Sequence, residues 1–302
     1  MIASALAPVF LLILAGAGLN RIDFPGRDFW PGIERLTYYL FFPALLVHRI
    51  ALADLSSVPL IPLASVLVGG VAVVSGLIWI VRHRLSVDAA GLTTVYQGSV
   101  RFNTFIGLAV AGALFGEPGL SLAAVVIGLK IPLINIACVA AFSLILGRRT
   151  GVFRSMGRGL ATNPLIVACL IGLGLNQSGI GLPGWSADLL SLLGRAALPL
   201  GLLAVGVALQ PRRMTDGVQS MLMAAAMKFV LLPGVMLALA AMLGLDPLIR
   251  AIVVLMACMP TAASGYILAR ELGGDATLMA TAISAQSLLA FGVIPVWMWL
   301  LL

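Results

Sequence analysis

Four basic side chains interrupt long apolar stretches of the sequence: Arg101, Lys130, Arg195 and Lys228. An ionisable group inside an apolar span is costly and marks a functional position by default. No Asp or Glu lies well inside any of these stretches. Cations without carboxylates suit an anionic ligand, which would supply the missing countercharge. Arg101 and Lys130 are the stronger candidates, because the other two lie nearer the ends of their stretches and can extend toward water.

Two of the stretches are poorly suited to a continuous helix. One reads QGSVRFNTFIGLAVAGALFG and contains Asn103 and Thr104, and the other reads LMACMPTAASGYILAREL and contains Pro260. Paired interruptions in corresponding spans point to a transport site, because the freed backbone groups must line a cavity or find partners. The N-terminus of a half-helix also attracts a carboxylate. Kinks used only for packing are the alternative.

The sequence therefore predicts one central anion site. Its predicted substrate-binding residues are Arg101, Asn103, Thr104, Gly107, Lys130, Met259, Pro260 and Thr261. No catalytic residue, metal ligand or cofactor is predicted.

Helix-shaping residues recur 156 residues apart, which indicates a duplicated unit. The pairs are Pro8 and Pro164, Gly16 and Gly172, Gly18 and Gly174, Asn20 and Asn176, and Pro43 and Pro199. Thr104 and Pro260 share this offset, so the two interruptions occupy equivalent positions. We expect a first repeat over residues 1–156 and a second over residues 157–302.

Composition places the chain in a membrane. Of its 302 residues, 61% are hydrophobic and 10% are charged, whereas a soluble domain has about 25% charged residues. The mean hydropathy is +1.13. The net charge of +7 is explained by basic residues in loops, so we expect a lipid bilayer and no nucleic acid as partner. Cys138, Cys169 and Cys258 lie in apolar stretches and are interpreted as packing residues.

Ten stretches are apolar enough to be spans, which predicts an all-α polytopic protein with five spans per repeat. Because five is odd, the second repeat is expected to be inverted relative to the first. The predicted spans are Ile2–Leu19, Pro31–Ile50, Pro59–Val81, Ala89–Phe115, Leu120–Leu146, Asn163–Leu175, Ser186–Leu209, Ser220–Leu243, Pro247–Leu268 and Ala276–Leu302.

Loop charges predict the orientation. The odd-numbered loops carry most of the loop arginines: Arg21, Arg27, Arg82, Arg84, Arg148, Arg149, Arg154, Arg158, Arg212, Arg213 and Arg270. The even-numbered loops offer Asp54, Glu117, Asp188 and Asp246. Cytoplasmic loops are enriched in Lys and Arg. We therefore expect a multi-pass protein of the cell inner (plasma) membrane with both termini outside.

Five segments of the chain resemble the auxin efflux carrier family, which includes the plant PIN carriers and many bacterial members. They are FFPALLVH (Phe41–His48), RFNTFIGLAVAGALFG (Arg101–Gly116), NPLIVACLIG (Asn163–Gly172), ALPLGLLAVGVAL (Ala197–Leu209) and MPTAASGYILARELGGD (Met259–Asp275). The segments span both halves of the chain. Asn103 with Thr104, and Pro260, are the more specific elements.

The resemblance implies two inverted five-helix repeats whose broken helices 4 and 9 cross near mid-membrane. It implies a scaffold of helices 1, 2, 6 and 7 and a transport domain of helices 3–5 and 8–10 that moves as an elevator. Asn103 matches the crossover asparagine that meets the substrate carboxylate, and Pro260 matches the crossover proline. Plant members carry a third-span carboxylate that is missing between Pro59 and Val81, whereas Lys130 lies near a polar position of the fifth span.

The sequence thus favours a secondary carrier of a small organic anion. A sodium-coupled organic-anion symporter of similar shape is the main alternative, and a channel or sensor is a further one. An enzyme is not expected, because the only histidines are His83, which lies in a predicted loop, and His48, which lies near a span end with no carboxylate partner in sequence reach. The coupling ion, a proton or sodium, and the oligomeric state, with a homodimer as one alternative, stay open.

Overall fold

The computed structural model describes residues 2–26, 28–56, 58–85, 87–147, 157, 160–209 and 218–302. These residues form helices and connecting segments, and no strand occurs among them. The predicted all-α class is confirmed. Seven of the loop arginines on which the predicted orientation rests lie outside the described residues: Arg27, Arg148, Arg149, Arg154, Arg158, Arg212 and Arg213.

Every predicted span coincides with helical structure. The first repeat contains α1 (Ile2–Arg21), α2 (Phe29–Leu36), α3 (Phe42–Ala51), α4 (Leu60–Val81), α5 (Ala89–Val100) and α6 (Thr104–Leu146). The second contains α7 (Pro164–Gln177), α8 (Gly184–Val207), α9 (Val218–Ala226), α10 (Leu232–Met242), α11 (Pro247–Ala257), α12 (Ser264–Leu272) and α13 (Ala276–Leu301).

Six helical segments within the described residues are long and apolar enough to cross a bilayer, so the chain is a multi-pass membrane protein. They are Ile2–Arg21, Leu60–Arg84, Ala89–Leu146, Gly184–Val207, Val218–Met242 and Ala276–Leu301. The predicted fourth and fifth spans are parts of the segment Ala89–Leu146. Gly116, with φ 63° and ψ −150°, separates them, since glycine adopts this backbone conformation without a steric penalty.

Prolines account for a π-helical turn in the second span and another in the eighth. A short π-helix, Thr37–Phe41, joins α2 to α3, and another, Met227–Leu231, joins α9 to α10. Each precedes a proline, Pro43 or Pro233, which has no N–H to donate to the carbonyl four residues earlier. For Pro233 that carbonyl belongs to Phe229, and the indole Nε1–H of Trp297 donates to it instead at 2.7 Å.

The chain forms two compact units. Unit 1 comprises Met1–Val58, Phe105–Ile131 and Gly159–Ala208, and therefore contains α1 to α3, α7 and α8 with the first part of α6. Unit 2 comprises Pro59–Thr104, Pro132–Arg158 and Leu209–Leu302, and contains α4, α5 and α9 to α13 with the end of α6.

Repeat-related residues make equivalent contacts inside unit 1. Gly16 of α1 lies against the backbone of Leu203 in α8, where a Cβ would stand 2.1 Å from the carbonyl oxygen. Gly172 of α7 lies against Val47 and Ile50 of α3, where a Cβ would stand 2.9 Å from the Cβ of Ile50. Val47 and Leu203 are themselves 156 residues apart. The sequence repeat is therefore also a repeat of helix contacts.

Candidate functional site

The first predicted interruption is a break of the backbone at Arg101, Phe102 and Asn103. Helix α5 ends at Val100, Arg101 is extended with φ −67° and ψ 155°, and α6 begins at Thr104. The last helical bond before the break is donated by the N–H of Arg101 to the carbonyl of Gln97 at 2.9 Å. The break leaves the next carbonyl, that of Gly98, without the helical donor that Phe102 would otherwise supply.

The second interruption lies between α11 and α12, in unit 2 with the first. Helix α11 ends at Ala257, and α12 begins at Ser264. Pro260 lies in the non-helical segment between them, as the sequence predicts, and it cannot donate a backbone hydrogen bond. The N-cap residue of α12 is Ala263, whose side chain cannot cap the helix. The positive end of a half-helix therefore faces the break.

A backbone hydrogen bond joins the two breaks. The N–H of Asn103 donates to the carbonyl of Pro260 at 2.7 Å. In a continuous helix that N–H would bond within its own helix. Both Asn103 and Pro260 are buried. Because an unpaired peptide group is expensive in an apolar medium, this bond stabilises both interruptions together.

Gln286 of α13 satisfies more of the freed backbone. Its Nε2 donates to the carbonyl of Gly98 at 2.8 Å. Its Oε1 accepts from the N–H of Thr261 at 3.0 Å and from the hydroxyl of that residue at 2.7 Å. The Thr261 hydroxyl also lies 3.3 Å from the Gly98 carbonyl. One buried amide thus bridges both broken helices.

Arg101 brings a buried positive charge to the same unit. Only 7% of the residue is exposed. Its Nη1 donates to the hydroxyl of Ser264, the first residue of α12, at 3.0 Å. Its Nη2 donates to the side-chain carbonyl of Asn135 at 3.1 Å. These partners are neutral, and within the described residues no carboxylate forms an ion pair with Arg101.

Two polar atoms near Arg101 keep unused hydrogen-bonding capacity. Among the described residues, neither the buried Nε of Arg101 nor the buried Oε1 of Gln97 has a hydrogen-bond partner. The Nε2 of Gln97 is 3.4 Å from the carbonyl of Gly265, in the first turn of α12. The groups near the Arg101 guanidinium are therefore the side-chain amides of Gln97 and Asn135 and the N-terminus of α12. This combination of groups is suited to binding a carboxylate.

The structure brings most of the predicted site residues into one unit. Arg101, Asn103, Thr104, Met259, Pro260 and Thr261 all belong to unit 2, at or beside the two breaks. Gly107 and Lys130 belong to unit 1, where both are buried on α6.

The expectation that Lys228 extends toward water is wrong. It lies on the π-helix between α9 and α10, and none of its surface is exposed. Lys130 is equally buried, so depth does not rank one lysine above the other. Arg195, in contrast, is exposed, although it lies in the middle of α8 and not near an end as expected.

Sequence reasoning missed the uncharged polar groups of the site. Gln97, Asn135, Ser264 and Gln286 contribute to it, and none of them carries the charge that marks an intramembrane position. Three of these are amide side chains inside apolar spans, which is a signal of the same kind as a buried charge, although a weaker one. A search for Asn and Gln within spans would have found Gln97, Asn135 and Gln286.

Comparison with known proteins agrees with the duplication. The sequence profile of the membrane transport protein family matches the chain twice, over residues 1–149 and 148–298. An uncharacterized transporter of Methanothermobacter thermautotrophicus is 26% identical over 293 residues, which cover 96% of this chain and 95% of the relative. An uncharacterized transporter of Methanocaldococcus jannaschii is 25% identical over 202 residues, covering 66% of this chain and 64% of the relative.

The two profile matches meet near residue 148, close to the predicted end of the first repeat at residue 156. Together they extend over nearly the whole chain, so the family assignment does not rest on one local motif. The chain therefore belongs to the membrane transport protein family, that of the auxin efflux carriers.

Proposed function

We propose that the chain is a secondary active transporter of small organic anions, with carboxylates as the substrate class. The observation that carries the proposal is the hydrogen bond between the two helix breaks, from Asn103 to Pro260, in the unit that also buries Arg101. A buried cation with only neutral partners among the described residues favours an anion as ligand. No catalytic activity is proposed.

The proposed site uses fixed dipoles and one permanent charge. Arg101 supplies the charge, and the N-terminus of α12 supplies partial positive charge from its backbone N–H groups. Asn103 contributes an amide that can donate to a carboxylate oxygen. Because the hydrogen bonds of Gln286 hold both breaks, these donors need little reorganisation when a ligand binds.

We further propose an elevator-type alternating-access mechanism in which inverted repeats form a scaffold and a transport domain. Unit 1 contains the helices of the first, second, sixth and seventh spans, which are those of the proposed scaffold, together with residues 105–131, which the proposal assigns to the transport domain. Unit 2 contains both helix breaks, so a substrate bound there would be carried with that unit. Structures of inward- and outward-facing states that superpose without a relative displacement of these groups would contradict the mechanism.

Counterflow in liposomes tests the proposed activity. Purified protein is reconstituted with unlabelled mono- and dicarboxylates inside, and uptake of the labelled acid is measured. We expect saturable counterflow for at least one acid, whereas a channel would dissipate the gradient without counterflow. Uptake that survives removal of sodium would exclude the sodium-coupled alternative, and its dependence on an imposed pH gradient tests coupling to protons.

Asn103→Ala links this activity to the site. Loss of a hydrogen bond to a charged oxygen is expected to weaken substrate binding by about 1–3 kcal/mol, which corresponds to a Kd increase of about 5–150-fold. Ser287→Ala is the control, because within the described part of the chain this buried hydroxyl bonds only to the carbonyl of Ile283 in its own helix. Unchanged transport in Asn103→Ala would place the substrate elsewhere.

A further inference from the structure

A second basic cluster lies in unit 1, and the proposed transport site does not use it. Arg49 and His48 belong to the last turn of α3, and Arg195 belongs to α8. All three line one cavity of about 190 Å³, together with Ser191 and five apolar or small residues: Leu45, Leu120, Leu190, Gly194 and Leu198. We name this space the basic cavity.

Positive charge in the basic cavity exceeds the acidic charge beside it. Arg49 forms an ion pair with Glu117, whose side chain is 72% exposed. Arg195 lines the same cavity as Arg49, so the two positive charges repel each other, and no acidic residue among those described pairs with Arg195. The buried Nε of Arg49 has no acceptor among the described residues. One exposed carboxylate therefore pairs with one of the two guanidinium groups that line the cavity.

Helix dipoles do not explain this arrangement. The C-terminus of α3 favours cations at His48 and Arg49. Arg195, however, is eleven residues beyond the first residue of α8, far from either end of that helix, and still faces the same cavity. Two guanidinium groups that line one cavity are stabilised by an anion that bridges them.

We propose that the basic cavity is a binding site for an oxyanion, held by Arg49 and Arg195 with the hydroxyl of Ser191 as an additional donor. Two sources share this chemistry: the phosphate of an acidic phospholipid and a free oxyanion from solution. Neither requires the transport site, so the proposal is independent of the proposed function. The site is built entirely within unit 1.

Thermal stability in a neutral detergent distinguishes the two sources. Phosphatidylglycerol, phosphatidylcholine or inorganic phosphate is added at constant ionic strength, and the apparent Tm is measured. A ligand of the native state should raise Tm by about 2 °C or more. A rise with phosphatidylglycerol but not with phosphatidylcholine indicates a lipid site, and a rise with inorganic phosphate indicates a free oxyanion.

Three variants assign any such rise to the basic cavity. Arg195→Gln should abolish it, whereas Arg84→Gln, which removes an exposed arginine of unit 2, should retain it. Ser191→Asp places a carboxylate in the same cavity, four residues before Arg195 along α8, so it should abolish the response while the ligand-free protein stays at least as stable as the wild type. This variant keeps the test informative if Arg195→Gln is unstable. The proposal is overturned if neither ligand raises Tm, or if the rise persists in Ser191→Asp.

Discussion

Asn20 and Asn176 perform the same task in the two halves of the chain. The side-chain amide of Asn20 donates to the carbonyl of Val207, the last residue of α8, at 3.0 Å. The amide of Asn176 donates to the carbonyl of Ala51, the last residue of α3, at 3.1 Å. Ala51 and Val207 are also separated by 156 residues. Each half thus caps a helix of the other half.

The two caps differ in strength. The Nδ2 of Asn176 also lies 3.1 Å from the carbonyl oxygen of Ile50 and 2.7 Å from that of Ala53. Asn176 is also less exposed than Asn20. We expect Asn176→Ala to lower the free energy of unfolding by about 1–3 kcal/mol and Asn20→Ala to lower it less. Thermal unfolding of the purified variants measures the difference. An equal or larger loss in Asn20→Ala would contradict this account of the caps.

A glycine substitution tests the close packing of α1 against α8. A Cβ at Gly206 would stand 1.9 Å from the carbonyl oxygen of Ile13, so Gly206→Ala must separate the two helices. We expect a large loss of thermal stability or of folded yield. Gly18→Ala, in the same helix pair, is the matched control, because a Cβ there meets nothing within 4 Å. Its expected effect is neutral or slightly stabilising, since alanine favours a helix by up to about 1 kcal/mol.

Much of the fold could be predicted because its signals are local. Apolar runs of the required length locate the spans, and Pro260 indicates a helix break within one of them. The offset between Gly16 and Gly172 identifies the duplication, since only glycine permits such close helix contacts. These features depend on the identity of the residue and its distance along the chain.

The remaining features depend on packing between distant segments. Gln286 lies 188 residues from Gly98, the residue whose carbonyl it satisfies, so no local pattern predicts that bond. Lys228 is buried because other helices pack around the π-helical turn that carries it. Its distance from the end of the span therefore does not predict its exposure. Asn135 and Ser264 are recognised as part of the site only because Arg101 donates a hydrogen bond to each of them in the folded chain.

Orientation in the membrane is testable at the predicted loop between the fifth and sixth spans. A cysteine introduced by Phe153→Cys should react with a membrane-impermeant maleimide only from the cytoplasmic side, because the surrounding sequence is rich in arginine. The native cysteines, Cys138, Cys169 and Cys258, are buried and should give little background. Labelling from the outer side alone would reverse the predicted topology and place both termini in the cytoplasm.

The bridge between the broken helices provides the sharpest test of the site. Gln286→Leu removes the acceptor of the Thr261 N–H and the closer donor to the Gly98 carbonyl. An orphaned buried donor costs about 1–3 kcal/mol, so we expect a lower Tm and impaired carboxylate counterflow. Ser287→Ala, one position along α13, should change neither, because it loses only an intrahelical bond. Normal counterflow and Tm in Gln286→Leu would show that the breaks do not depend on this amide.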